Sequence, residues 1–164
     1  HKVIIALQAA LKGRKIQNAK ARVGQHLSLW RPGRDPKETY SAQAAQGGGV
    51  MRDLSHELDL AQFLFGEILS HEGSAARTSD VTLDSEDSAT FQLKCQNCPN
   101  VEVHMNYLDM QPCREWEIET DIGIITADLI RRSITIGDET QVIACESDDA
   151  YQAMHQAALR DDTS

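Results

Sequence analysis

The chain has 164 residues, a formal net charge of −9, and 41% hydrophobic and 25% charged residues. This length and composition are typical of one soluble globular domain with its own hydrophobic core, here taken as residues 1–164. An acidic balance argues against a nucleic-acid-binding surface, and no apolar run approaches the length of a membrane span. We therefore expect neither nucleic acid nor a membrane as a partner.

The chain begins with two predicted regular elements. Lys2 to Leu11 has a helical pattern of apolar residues, and Gly13 is a plausible stop. Lys15 to Gln25 alternates imperfectly between apolar and polar residues, which indicates a strand.

An irregular loop is predicted from His26 to Tyr40, where two prolines and a glycine oppose regular structure. The loop concentrates planar and charged side chains on non-repetitive backbone, where binding residues are often found. Two interpretations stay open: a binding loop, or a solvated loop with Trp30 anchored in the core. The candidate binding residues are Trp30, Arg31, Arg34, Asp35 and Tyr40.

The stretch GGGVMRDLSHELDLAQFLFG, from Gly47 to Gly66, predicts a glycine turn followed by a helix. Its apolar stripe is formed by Leu54, Leu58, Ala61 and Phe65. Asp53 and His56 are three residues apart, which makes them neighbours on an adjoining face. Their spacing alone fits either an acid–base site or a surface ion pair, and favours the ion pair. Gly66 is expected to end the helix in a left-handed conformation.

The second half of the chain has the pattern of a strand series after a small-residue connector, His71 to Arg77. Short connections predict an α+β fold with an open, mainly antiparallel sheet, and the alternation makes one sheet face polar. Helices are expected on the other face, and a last helix over Asp148 to Arg160. The predicted strands are Thr78–Leu83, Ser88–Cys95, Asn100–Leu108, Arg114–Asp121, Gly123–Leu129, Ser133–Ile136 and Gln141–Cys145.

Cysteine spacing raises the question of a metal. Cys95-x-x-Cys98 fits a zinc or redox motif, but Cys113 and Cys145 stand far apart along the sequence, and the pair is expected at a hairpin turn. We favour reduced thiols and no metal site, with a zinc site as the alternative. The absence of a disulfide framework favours the cytoplasm.

No common catalytic motif is present in the sequence. The three glycines do not form G-x-G-x-x-G, and His56 is not followed by a second histidine four residues later, as a zinc protease would require.

Instead, the motifs together resemble the C-terminal domain of the Gfo/Idh/MocA family, named after glucose–fructose oxidoreductase and inositol dehydrogenase. The resemblance rests on five stretches: WRPGRD from Trp30, YSA from Tyr40, the GGGVMRDLSHELD segment with LFGE, VEVHMNY from Val101, and the strand that begins GII at Gly123. It covers nearly the whole chain. It implies an open-sheet α+β domain and a separate Rossmann domain, absent here, that binds NAD or NADP.

The resemblance also implies a function. Asp53 and His56 match the family's active-site pair, although that pair is four residues apart in many members. His56 would exchange a proton with a substrate hydroxyl, and the loop residues would contact a sugar or nucleotide sugar. The chain would then be a substrate-binding and assembly domain, inactive alone and oligomeric through its sheet face. The alternative is a non-enzymatic oligomerisation or ligand-binding module.

Overall fold

The computed structural model describes residues 2–30, 33, 35–79 and 83–144. They form one sheet of eight strands with helices packed on one face, which confirms the α+β prediction. The helices are α1 (Lys2–Leu11), α2 (Leu27–Trp30), α3 (Val50–Asp53) and α4 (His56–Phe65), with 3₁₀ turns at Pro36–Glu38, Tyr40–Ala42 and Ala44–Gln46. The strands are β1 (Ile16–Gly24), β2 (Ile68–Ala76), β3 (Ser88–Cys95), β4 (Cys98–Asn106), β5 (Cys113–Thr120), β6 (Gly123–Asp128), β7 (Ser133–Ile136) and β8 (Glu139–Val142).

The sheet has the strand order β2-β3-β4-β1-β5-β6-β7-β8. All neighbours pair antiparallel except β1 and β4, which are parallel. The parallel pair arises because the chain leaves β1 and crosses to the sheet edge through α3 and α4. It then returns through β2 and β3 to lie beside β1.

The central strand β1 separates the two faces of the sheet. Ala19, Ala21 and Val23 are buried on the helix side, whereas Lys20 and Arg22 are exposed on the other side. The small side chain of Ala21 lies opposite Trp116, the largest fully buried side chain. This alternation buries the apolar face under the helices and leaves a polar face, as the sequence predicts.

Two regions differ from the predictions. The supposed connector His71 to Arg77 lies mostly in the edge strand β2, which the sequence hides because its residues are small and exposed on both faces. Within the described residues, the predicted strand Thr78–Leu83 is not formed: Thr78, Ser79 and Leu83 are not extended in the sheet. The predicted helix Asp148–Arg160 lies outside the described residues.

Candidate functional site

The segment after the three glycines is two helices, not one. α3 ends at Asp53, and α4 starts at His56. The Ser55 hydroxyl donates to the backbone carbonyl of Arg52 at 3.0 Å, which is the carbonyl that a continuous helix would pair with the His56 N–H. The continuous helix predicted from periodicity is therefore wrong, and Asp53 and His56 lie on either side of the interruption.

The glycines allow this segment to pack closely on its surroundings. A Cβ at Gly48 would clash with the backbone of Tyr40 and Ser41. Gly49 has φ +130°, a conformation open to glycine, and the Val50 N–H donates to the carbonyl of Glu86 at 3.1 Å. These contacts fix the start of α3 against the neighbouring turn.

Asp53 is held by an aromatic cluster. Its carboxylate accepts a hydrogen bond from the Tyr107 hydroxyl at 2.7 Å, and Tyr107 is fully buried. The Trp30 ring meets the Tyr107 ring edge-on, with centroids 5.3 Å apart, and Ser41 also hydrogen-bonds the Tyr107 hydroxyl. Burial, together with the hydrogen bond to Asp53, raises the pKa of Tyr107, so this hydroxyl stays protonated and donates to Asp53.

His56 is the first residue of α4, and its side chain is 46% exposed. The imidazole is hydrogen-bonded to the backbone of Asp53, and its Nε2 lies 3.4 Å from Oε1 of Glu57. Partial burial lowers the pKa of His56, the positive charge of Arg114 lowers it further, and Glu57 opposes both. At neutral pH the ring is therefore neutral and able to accept a proton.

Glu57 is a buried carboxylate with a full set of partners. It has no solvent exposure, and it accepts hydrogen bonds from Arg114 Nε at 2.5 Å and Trp116 Nε1 at 3.0 Å. Both donors belong to β5, so Glu57 links α4 to the sheet. The carboxylate nearest to the His56 ring nitrogen is thus Glu57, while the carboxylate of Asp53 is bound by Tyr107.

The structure brings together part of the predicted site. Trp30 and Asp53 lie in the Tyr107 cluster, and Tyr40, 41% exposed, is close enough to raise the pKa of Tyr107. Asp35 instead caps a 3₁₀ turn by accepting from the Lys37 N–H at 3.0 Å. Arg31 and Arg34 lie outside the described residues.

Sequence reasoning missed Tyr107, Glu57 and Arg114. Their pairings join residues 54 and 57 positions apart in the chain, and no local spacing reveals such contacts. A weak signal existed for Glu57, an acidic residue where helical periodicity requires a buried face.

Two large cavities formed by the described residues lie away from His56. One of about 920 Å³ lies along the polar sheet face, and another of about 960 Å³ lies between α1 and the β3–β4 hairpin. Neither is lined by His56 or Asp53. The half-exposed imidazole therefore lies outside both cavities.

Cys95 and Cys98 are the candidate ligands of the alternative zinc site. Cys95 and Cys98 face each other across the β3–β4 hairpin, as predicted, and burial raises the pKa of Cys98 to about 11. Within the described part of the chain, no group of three or more histidine, cysteine or acidic side chains is arranged to hold a metal ion.

An open sheet covered by helices on one face, with an interrupted helix presenting a histidine, defines an α+β domain rather than a nucleotide-binding α/β fold. Residues 14–126 match the family model described as the GFO/IDH/MocA C-terminal domain. The chain belongs to the Gfo/Idh/MocA family, as its motifs predict.

Solved structures support the fold. An oxidoreductase from Thermotoga maritima has a TM-score of 0.75 and 15% identity, covering 99% of this chain and 48% of that one. The UDP-N-acetylglucosamine 3-dehydrogenase of Acidithiobacillus ferrooxidans has a TM-score of 0.70 and 20% identity, covering 98% and 48%. A levoglucosan dehydrogenase in complex with NADH has a TM-score of 0.63 and 17% identity, covering 88% and 43%.

This chain thus spans about half the length of each of these proteins. No curated protein sequence matches it. Among the described residues, no helix has both the length and the apolar character needed to cross a bilayer.

Proposed function

We propose that this chain is the substrate-binding and assembly half of an NAD(P)-dependent oxidoreductase acting on a CH–OH group of a sugar or nucleotide sugar. The observation that carries the proposal is the His56 imidazole, whose pKa is lowered and which is exposed at the start of α4 beside the Asp53–Tyr107 pair. Two dehydrogenases with this fold, for UDP-N-acetylglucosamine and for levoglucosan, support the substrate class.

The chemistry assigned to His56 is proton transfer. Removing hydride from a carbinol carbon requires its hydroxyl proton to leave, and a neutral imidazole within hydrogen-bond reach can accept that proton. Asp53, kept in place by Tyr107, would orient a neighbouring sugar hydroxyl. Trp30 and Tyr40 would supply flat surfaces for the ring, and Arg31, Arg34 and Asp35 are further candidates for substrate contact.

The nicotinamide would supply the hydride acceptor. The described residues do not fit a dinucleotide site of their own, because Gly47 to Gly49 follow a 3₁₀ turn and lead into a four-residue helix. A separate domain would therefore hold most of NAD or NADP. This chain would cover the nicotinamide only through the surface around His56.

The first experiment is to sequence the source gene upstream of His1. A preceding segment of about 120 residues with a strand leading into G-x-G-x-x-G would be the expected nucleotide-binding domain. That protein, incubated with NAD⁺ or NADP⁺ and a panel of sugars and nucleotide sugars, is expected to produce the reduced cofactor with at least one of them. Failure with every sugar despite bound cofactor would contradict the proposed substrate class.

A non-enzymatic module remains the second candidate function. It is favoured by the polar sheet face, which forms a cavity of about 920 Å³ and is open in the described structure. Chain association through this face would also be compatible with the dehydrogenase.

A further inference from the structure

A second candidate site lies at the opposite end of α4 from His56. A groove of about 960 Å³ runs between α1, the end of α4 and the β3–β4 hairpin, and reaches Leu64. Leu64 is eight residues beyond His56, or about 12 Å along the helix axis. The groove is therefore distinct from the site described above.

The charge of this groove opposes that of the chain. The whole sequence has 25 acidic and 16 basic residues, yet the groove is lined by four cationic side chains and by no aspartate or glutamate among the described residues. The cationic residues are Lys12, Arg14, Lys15 and Lys94. The nearby Asp121 carboxylate accepts from the backbone N–H of Lys15 at 3.2 Å. We call this surface the basic groove.

Arg14 gives the second observation. Its Nη1 is buried and, among the described residues, has no hydrogen-bond partner; no other described side-chain nitrogen or oxygen is in this condition. Burying a charged donor without an acceptor is unfavourable, whereas a charge-assisted hydrogen bond to an anion would remove that cost. Arg14 also lines the groove, so turning its guanidinium outward would bring this donor to an anion bound there.

The helix ends nearby do not neutralise the basic groove. The C-terminal end of a helix carries about half a negative charge, so α1 and α4 together supply about one. Four cations face this one negative charge, and none of the four forms an ion pair within the described part of the chain. A single carboxylate would neutralise only one of the remaining positive charges, whereas a phosphate group, with close to two negative charges, would neutralise more of them.

We propose that the basic groove binds a phosphate-bearing small molecule, with the phosphate held by Arg14 and flanked by the three lysines. The floor formed by Leu11 and Leu64 would take an apolar part of the ligand. This site does not depend on the oxidoreductase proposal, because it uses none of the same residues.

The test is a titration of the isotope-labelled chain with inorganic pyrophosphate, followed by amide chemical shifts. We expect saturable shifts at Gly13 and Asn97, which line the groove. Arg14→Gln should weaken the apparent affinity at least tenfold. The matched control is Arg131→Gln, which removes the same charge from a side chain that is 85% exposed on the other sheet face, and its affinity should match the parent chain.

Two results would overturn the proposal: shifts that do not saturate, or equal weakening by Arg14→Gln and Arg131→Gln, which would mean attraction to net charge alone. If Arg14→Gln fails to fold, Lys94→Gln replaces it, because Lys94 is an exposed residue of β3. Lys94→Gln should weaken binding about threefold, and an unchanged affinity would count against the site.

Discussion

At the scale of single residues, the environment of His56 separates two roles that its sequence spacing cannot. A surface ion pair with Asp53 would raise the imidazole pKa and leave Asp53 facing solvent. Instead, Asp53 accepts a hydrogen bond from the buried Tyr107, and partial burial lowers the pKa of His56. These features favour a neutral imidazole that can accept a proton, rather than a protonated imidazole in a surface ion pair.

Replacing His56 by alanine should remove most turnover from the protein that contains both domains. General-base catalysis contributes about 10²–10⁴-fold, so kcat should fall by that factor. The side chain is 46% exposed, and thermal unfolding should therefore change little. His71→Ala, at an exposed position in β2, is the control and should leave kcat unchanged. Parent-like kinetics of His56→Ala would refute the assigned role.

The pH dependence follows from the same imidazole. Its folded pKa lies below the ordinary 6.5, so sugar oxidation should hold its rate at neutral pH and decline only as the pH falls through that lower value. The stability of the fold changes in the same direction. Between the two pKa values the unfolded state binds more protons than the folded state, so stability is lost as the pH falls below 6.5. Measuring kcat/KM from pH 5 to 8 checks this. If kcat/KM of His56→Ala still declines at acidic pH in the same way, the group responsible for the decline is not His56.

At the scale of elements, the start of α3 depends on the close packing of Gly48 against the backbone of the neighbouring turn. Gly47 has φ +84° with open space around its Cβ position, whereas a Cβ at Gly48 would meet the backbone carbonyl of Tyr40. Alanine substitutions at these two positions therefore separate the effect of backbone conformation from the effect of close packing.

Gly48→Ala should destabilise the fold by about 2 kcal/mol more than Gly47→Ala. Gly47→Ala costs the strain of a positive φ, about 1 kcal/mol. Gly48→Ala has no such strain but must displace the backbone of Tyr40 and Ser41, which costs about 3 kcal/mol. Urea unfolding of both variants and the parent measures the difference. Equal midpoints would mean that the turn containing Tyr40 can shift to make room for the Cβ at little cost in free energy.

Glu57 makes the contact between α4 and the sheet, and Glu57→Gln should cost about 2 kcal/mol. Removing one partner of a buried ion pair costs about 3–5 kcal/mol, and the 33% exposure of the Arg114 side chain reduces that figure. Glu67→Gln, at an exposed position just after α4, provides the comparison and should stay within about 0.5 kcal/mol. Denaturant midpoints of both variants and the parent measure the difference. An unchanged midpoint for Glu57→Gln would show that its pair with Arg114 contributes no net stability.

Local sequence pattern predicted the elements whose burial follows a simple period. β3 and β7 have the predicted bounds, and α1 matches the range Lys2 to Leu11, because each has an apolar face with regular spacing. The pattern missed β2, whose residues are exposed on both faces, and the break at Ser55, where a side chain competes for a backbone carbonyl. Within the site it indicated Asp53 and His56 but missed Tyr107, because contacts between distant segments are fixed by tertiary packing.

At the scale of the whole molecule, the two faces of the sheet have different chemistry. The helix side is closed and apolar, whereas on the other side the cationic residues of β1 lie between acidic or polar residues of its neighbours. Lys20 lies between Glu102 on β4 and Glu117 on β5, and Arg22 lies between His104 and Glu115. A second copy of the face could therefore place its acidic residues against Lys20 and Arg22.

We expect this chain to associate through the polar face, and the association to weaken with salt. Size-exclusion chromatography with light scattering at micromolar concentration should show an oligomer at low ionic strength that dissociates as the Debye length falls below about 8 Å. Lys20→Glu would place like charges on three neighbouring strands and should give a monomer. Lys37→Glu, an equal change of charge at an exposed loop position, should remain associated. A parent chain that is a strict monomer at low ionic strength would contradict self-association through the polar face.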